Sequence, residues 1–161
     1  MRANSGRSAV AALFLFLASG AQAVADETFA RQPLNIVGDG GKVHEFSVEL
    51  AVTPRQRERG LMERREMASD HGMLFAFGET RQVLMWMKNT YIPLDMLFIA
   101  KNGHIVTIKE NAEPLSEAII DSKVPVDFVL EVNGGTVKAL HIKTGHQIES
   151  DLIKEMQTKG Q

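Results

Sequence analysis

Between Trp86 and Asp95 the chain places its single tryptophan, its single tyrosine (Tyr91), the cation of Lys88, the amide of Asn89, the hydroxyl of Thr90 and a carboxylate. An indole beside a cation and an amide suits a small polar ligand such as a sugar, which stacks on the ring and hydrogen-bonds at its rim. The same residues also suit packing. A buried tryptophan finds a partner for its N–H without forming a site, and Asn89-Thr90 can shape a turn through its own backbone. Strand alternation separates two faces: Val83, Met85 and Met87 share the candidate core face, while Leu84, Trp86 and Lys88 share the other.

Asp95 opens an apolar run after Pro93-Leu94, so its charge must be paired or hydrogen-bonded if it is buried. Lys88 is the nearest cation in sequence, Arg59 and Arg64 are alternatives, and a structural ion pair is the favoured reading. Glu131 interrupts the apolar Phe128–Val132 run in the same way, and Glu110 ends another. Carboxylates converging on one cleft would support a hydrolase or lyase acting on a glycan by general acid–base chemistry, but nothing in the sequence makes them converge. The expected binding set is therefore Arg64, Trp86, Lys88, Asn89, Asp95 and Glu131. In it Trp86 stacks, Lys88 meets an acceptor or anionic group, and Asn89 hydrogen-bonds. Asp95 orients Lys88 or accepts from the ligand, and Arg64 and Glu131 contribute from outside. No catalytic residue is assigned.

Met62, Met67, Met73, Met85, Met87 and Met96 crowd the middle of a chain that has no cysteine. Thioethers favour Cu(I), so a copper-binding protein using these methionines and Trp86 is the second alternative. Methionine is also a gap-filler, and alternation already sends Met85 and Met87 inward. No histidine spacing supports Zn(II), and Gly38-Asp39-Gly40-Gly41 is turn chemistry without the following helix of a phosphate cradle. No cofactor or resident metal is expected.

The N-terminus reads as a targeting segment. Arg2 and Arg7 precede the apolar run Ala9–Leu17, and small residues at Ala21, Ala23 and Ala25 fit cleavage after Ala23 or Ala25. That run is well short of the roughly 20 residues a membrane-spanning helix needs, so residues 1–25 are expected to be a cleaved signal peptide and the protein periplasmic or secreted. Cleavage would leave 16 basic against 20 acidic side chains, with no basic stripe for nucleic acid and no further span. The oligomeric state is not legible.

The remaining chain is sized for one domain: a lead-in and first strand over 26–42, a β domain over 43–150 and a polar, frayed tail over 151–161. Strands are expected at Leu34–Val37, Val43–Val52, Met73–Phe77, Val83–Lys88, Leu94–Ala100, Ile105–Glu110, Phe128–Val132 and Gln147–Glu149. Thr53-Pro54 caps a short helix that stops at Gly60, Thr136 starts another, and one helical turn is expected at Ser116–Ile120. Gly78–Thr80 reads as a turn and Asn102-Gly103 as a type I′ hairpin. Many short strands and no long amphipathic helix predict a mainly-β single domain, a β-sandwich or flattened barrel with one or two short helices.

Four strings carry a resemblance: Arg59-Gly60-Leu61-Met62-Glu63-Arg64, Gly72–Phe77, Trp86-Met87-Lys88-Asn89-Thr90 running into Ile92-Pro93-Leu94-Asp95, and Val129–Asn133 with Gly135. In that order, from about Phe46 to Ile148, the chain resembles the secreted branch of the Domain of Unknown Function 192 family. The resemblance implies a mainly-β, sandwich-like fold and no settled activity, cofactor or catalytic set. The chain departs from the family pattern at Met85, where an aromatic is usual. It also departs at His141 and His146, where glycine and aspartate tend to stand.

Overall fold

The computed structural model describes residues 27–159, so the expected signal peptide lies outside the described residues. The chain forms β1 (Arg31–Val37), β2 (Val43–Ala51), α1 (Pro54–Arg59), β3 (His71–Met85), β4 (Leu94–Ile99) and β5 (Ile105–Ala112). It continues through β6 (Ile120–Asn133), α2 (Thr136–Leu140), β7 (Gln147–Ser150) and α3 (Asp151–Lys159). The fold is a mainly-β single domain, as expected, built on one seven-stranded sheet of order β5-β4-β6-β3-β2-β1-β7.

That sheet curls until its ends meet. His104, just before β5, bridges to Gln147 of β7, and the Ile105 N–H donates to the His146 carbonyl at 3.0 Å. Of the two expected architectures, the partly closed barrel describes the molecule better than a sandwich. One core draws on all seven strands, from Leu34 and Phe46 through Leu97 and Ile105 to Ile148, and is covered by Val137 of α2 and Ile153 of α3. A second core lies on the opposite face of β3, β4 and β6 and includes Met73, Met87, Met96 and Phe98. These methionines fill gaps among apolar neighbours, the packing role weighed above against copper.

Among the described strand pairs only β2 and β3 run parallel, with Ser47 opposite His71 and Ala51 opposite Phe75. A parallel pair needs a long crossover, which residues 52–70 provide. α1 starts that crossover with the predicted cap: Thr53 accepts the Gln56 N–H at 3.2 Å and the Gln56 side chain accepts the Thr53 N–H at 3.0 Å. It ends at Gly60, whose φ of +46° favours glycine.

Several expectations are corrected. Gly78–Thr80 is no turn. β3 runs straight through it, the ladder to β6 shifts register between Ala76 and Arg81, and Gly78 at φ +78° absorbs the bulge. At Asn102-Gly103 only the glycine has positive φ, whereas type I′ needs both; the Gly103 N–H donates to the Ala100 carbonyl and Ala100 N–H to the His104 carbonyl. Residues 116–119 form no helical turn, and β6 begins at Ile120, with Pro125 inside it at the bulge opposite Gln82. The expected frayed tail is α3, started by the Ser150 hydroxyl accepting the Ile153 N–H at 3.2 Å and held by buried Ile153.

Candidate functional site

Alternation fixes the sides as expected: Val83 and Met87 are buried, while Leu84 and Trp86 are exposed, the indole by 43 %. The strand ends at Met85, and 86–93 is an irregular segment tied to its neighbours by backbone bonds. The Glu63 N–H donates to the Asn89 carbonyl at 2.7 Å, Met87 N–H to Ser116 at 2.9 Å, and Leu115 N–H to Thr90 at 3.0 Å. Asn89 sits at φ +54°, a left-handed turn that asparagine tolerates. Its contribution is the turn, and its exposed side chain lies outside the cleft described next.

That cleft, about 220 Å³, lies between the end of α1, the bulged half of β3 and the 86–90 segment. Trp86, Lys88 and Glu131, three of the six expected binding residues, line it. Lys88 places its ammonium 5.1 Å from the centre of the Trp86 ring, a cation–π contact that presents both groups together. Gly60 permits the close approach of wall and floor, since a Cβ there would meet Phe75 at 3.3 Å.

Glu131 forms the floor. It sits mid-sheet between Met73 of β3 and Met96 of β4 and is only 4 % exposed. Burial alone pushes its carboxyl up to about 8, with no charge or hydrogen bond from a described residue to offset it. At neutral pH it is therefore a protonated acid, able to donate as well as accept.

The wall is cationic. Arg57, Arg59, Arg81 and Lys88 line the cleft, against Glu58 and the protonated Glu131. Arg57 donates through Nη1 to the carbonyls of Val52 at 2.6 Å and Ala76 at 2.9 Å, and burial together with the Arg81 charge holds its guanidinium below the ordinary value. Arg57 and Arg81 both lie against Phe77, 5.6 and 4.9 Å from its ring centre. Arg57 and Arg81 were missed in the sequence because a short helix and an expected turn gave no sign that they border one cleft.

Asp95 and Arg64 lie elsewhere. Asp95 is fully buried, and the ion pair expected for it is replaced by backbone bonds: its two oxygens accept the Asn111 and Val137 N–H groups, each at 2.8 Å. Asp95 pairs with Val132 in the ladder and Met96 with Glu131, so Asp95 and Glu131 point to opposite faces of the sheet. They cannot share a substrate, and Glu110 is exposed on β5. Arg64 pairs with Glu49, which Arg31 also holds at 2.6 Å. Burial would raise the Glu49 carboxyl, but the two arginines outweigh it and keep it low. This triad borders a separate hollow of about 400 Å³ with Met67 and His71.

His141 is the exposed, left-handed cap of α2, and buried His146 packs under the β1–β2 turn against Gly38, 3.4 Å from Asp39. Both serve turns rather than the cleft. Among the described residues no group of three or more His, Asp or Glu could hold a metal, and no helix is long and apolar enough to cross a membrane.

No curated protein matches the chain. A solved structure from Sinorhizobium meliloti 1021, described as that of a candidate transcription regulator, is 60 % identical; the match has a TM-score of 0.76 and covers 77 % of this chain and 96 % of that one. A protein of unknown function from Novosphingobium aromaticivorans DSM 12444 is 36 % identical, with a TM-score of 0.72 and coverage of 74 % and 85 %. The model of Domain of Unknown Function 192, described as an uncharacterised ACR, matches residues 35–150. With that span covering most of the chain in sequence and the same curled sheet in its relatives, the protein belongs to the Domain of Unknown Function 192 family.

Proposed function

We propose that this protein binds a small polar ligand non-covalently in the Trp86–Lys88–Glu131 cleft, after export through the N-terminal signal segment. One observation carries the reading: a buried carboxyl with no partner among the described residues forms the floor of a cleft that opens beside an exposed indole. A carboxyl desolvated between two methionines costs stability, and such a cost is retained where the group meets something else. A ring stacked on Trp86 brings its hydroxyls within the field of Lys88 and directs one edge at Glu131. The opposed orientations of Asp95 and Glu131 leave the glycan-cleaving alternative without its second carboxylate there.

The S. meliloti relative's description raises nucleic acid as another ligand class. A formal charge of −2 and cations confined to a cleft of about 220 Å³ favour a small molecule over a duplex.

The test is the emission of Trp86, the only indole, titrated with mono- and disaccharides in the native protein and in Glu131→Met, which continues the Met73–Met96 row. The reading requires a saturable shift in the native protein that Glu131→Met abolishes while staying folded. A shift that persists unchanged in Glu131→Met removes the carboxyl from the site.

A further inference from the structure

We propose that the occupant of this cleft is an anion, its carboxylate or phosphate seated between Arg57 and Arg81 on the Phe77 side and its ring directed towards Trp86 and Lys88. The inference rests on the ligand-binding reading above and adds the ligand's charge.

Two guanidiniums held on one phenyl ring repel each other, and an arrangement of like charges persists most readily where an anion joins them. Neither is neutralised in place. Arg57 spends Nη1 on two main-chain carbonyls, which fixes its plane and leaves Nε and Nη2 without an acceptor among the described residues. Arg81 has one carboxylate neighbour, Glu79, at 3.5 Å and largely in solvent, a contact too loose and too wet to satisfy it. Lys88 meets the Trp86 face and no carboxylate among the described residues. A planar fork opposite an oxyanion is the pairing arginine makes best, and two such side chains line this cleft.

The balance around the cleft runs against the rest of the molecule. A chain of formal charge −2 gathers four cations about one hollow; Arg59 is paired with Glu63 at 3.0 Å, and Arg57, Arg81 and Lys88 stand with Glu58 around a Glu131 that holds its proton at neutral pH. A neutral Glu131 adds a hydrogen-bond donor to the floor without repelling an anion above it. The volume, about 220 Å³, falls below that of drug-sized pockets and suits one sugar ring or a similarly small acid.

The experiment titrates the full chain with glucuronate, glucose 6-phosphate, neutral glucose and a single-stranded oligonucleotide, read by Trp86 emission and by calorimetry. The acids should bind at least about tenfold more tightly than glucose, with an affinity that falls as salt rises. Whichever of glucuronate and glucose 6-phosphate binds better identifies the acid group. Arg81→Gln and Lys88→Gln should each weaken the acids roughly tenfold or more and bring their affinity down towards that of glucose. Glu79→Gln should tighten them, because it frees Arg81, an outcome a merely structural arginine would not give. Equal binding of glucose and the acids overturns the anion and keeps the small-ligand reading. Preference for the oligonucleotide overturns it in favour of nucleic acid, and silence from every probe in both readouts defeats both readings.

Discussion

The carboxylate of Asp95 accepts the backbone N–H of Val137, 42 positions further along the chain, at 2.8 Å. It thereby caps the first turn of α2, whose own N-terminal flank, Gly135, has no side chain to do so. Its other oxygen holds the Asn111 N–H where the backbone turns left-handed at φ +46°. One buried acid ties β4, the end of β5 and α2 together.

Asp95→Asn should therefore destabilise the protein by about 1–3 kcal/mol, since an amide NH2 would face a backbone N–H that then has no acceptor. Ligand binding by the folded fraction should be unchanged. Chemical denaturation alongside a Trp86 titration separates the two, and a variant of full stability with lost binding would place Asp95 in the site after all.

Glu131 should work in the opposite direction. Its folded value, about 8, lies above the ordinary 4.5, so the folded chain holds a proton that the unfolded chain has lost between those values. Stability is then greatest at and below pH 4.5 as far as this group is concerned, and declines as pH rises towards 8. The slope is at most about 1.4 kcal/mol per pH unit. Glu131→Gln should flatten this dependence and raise the melting temperature at pH 8, while weakening the ligand. Denaturation midpoints of both proteins from pH 5 to 9 measure it.

The same proton bears on affinity. Arg57, Glu58 and Arg59 face the cleft from α1, Arg81 from β3 and Lys88 from the segment beyond it, and of the carboxyls there Glu131 titrates near neutrality. An acidic ligand should bind less well as pH climbs through about 8, and that loss should vanish in Glu131→Gln.

Inside the β3–β6 ladder, the Ser122 hydroxyl accepts the buried Val83 N–H at 3.0 Å and donates to the Val124 carbonyl at 2.7 Å. It replaces a ladder bond lost at the register shift. Ser122→Ala should cost about 1–3 kcal/mol by leaving that N–H unsatisfied, measured by urea denaturation. Gly60→Ala should cost a similar amount, roughly 1–3 kcal/mol, through strain at positive φ and the contact with Phe75, and should loosen the cleft wall as well.

What could be read beforehand was whatever depends on neighbours in sequence. Thr53-Pro54 announced α1, alternation from Val83 to Met87 sorted core from surface, and apolar runs marked β4 and the buried part of β3. Gly78 did not separate bulge from turn, because a positive φ serves both and the outcome depends on whether β6 continues alongside. Asp95 was recognised as a buried acid needing partners. Those partners were backbone N–H groups, which every residue carries and no residue type reveals. Arg57 and Arg81 share one ring only because the β2–β3 crossover returns α1 to the bulge, and that meeting of distant segments has no signature in spacing.

That crossover also bears on how the molecule assembles. The chain must pass through 52–70 and return beside β2 before Arg57 can lean on Phe77 or Gly60 can settle against Phe75. Closing a parallel pair brings its reward late, since the loop's entropy is spent before the ladder forms. The recognition surface is thus a late-forming product of folding, and a chain that has collapsed but not yet closed this loop would carry Trp86, Lys88 and Glu131 without the wall that makes them a site.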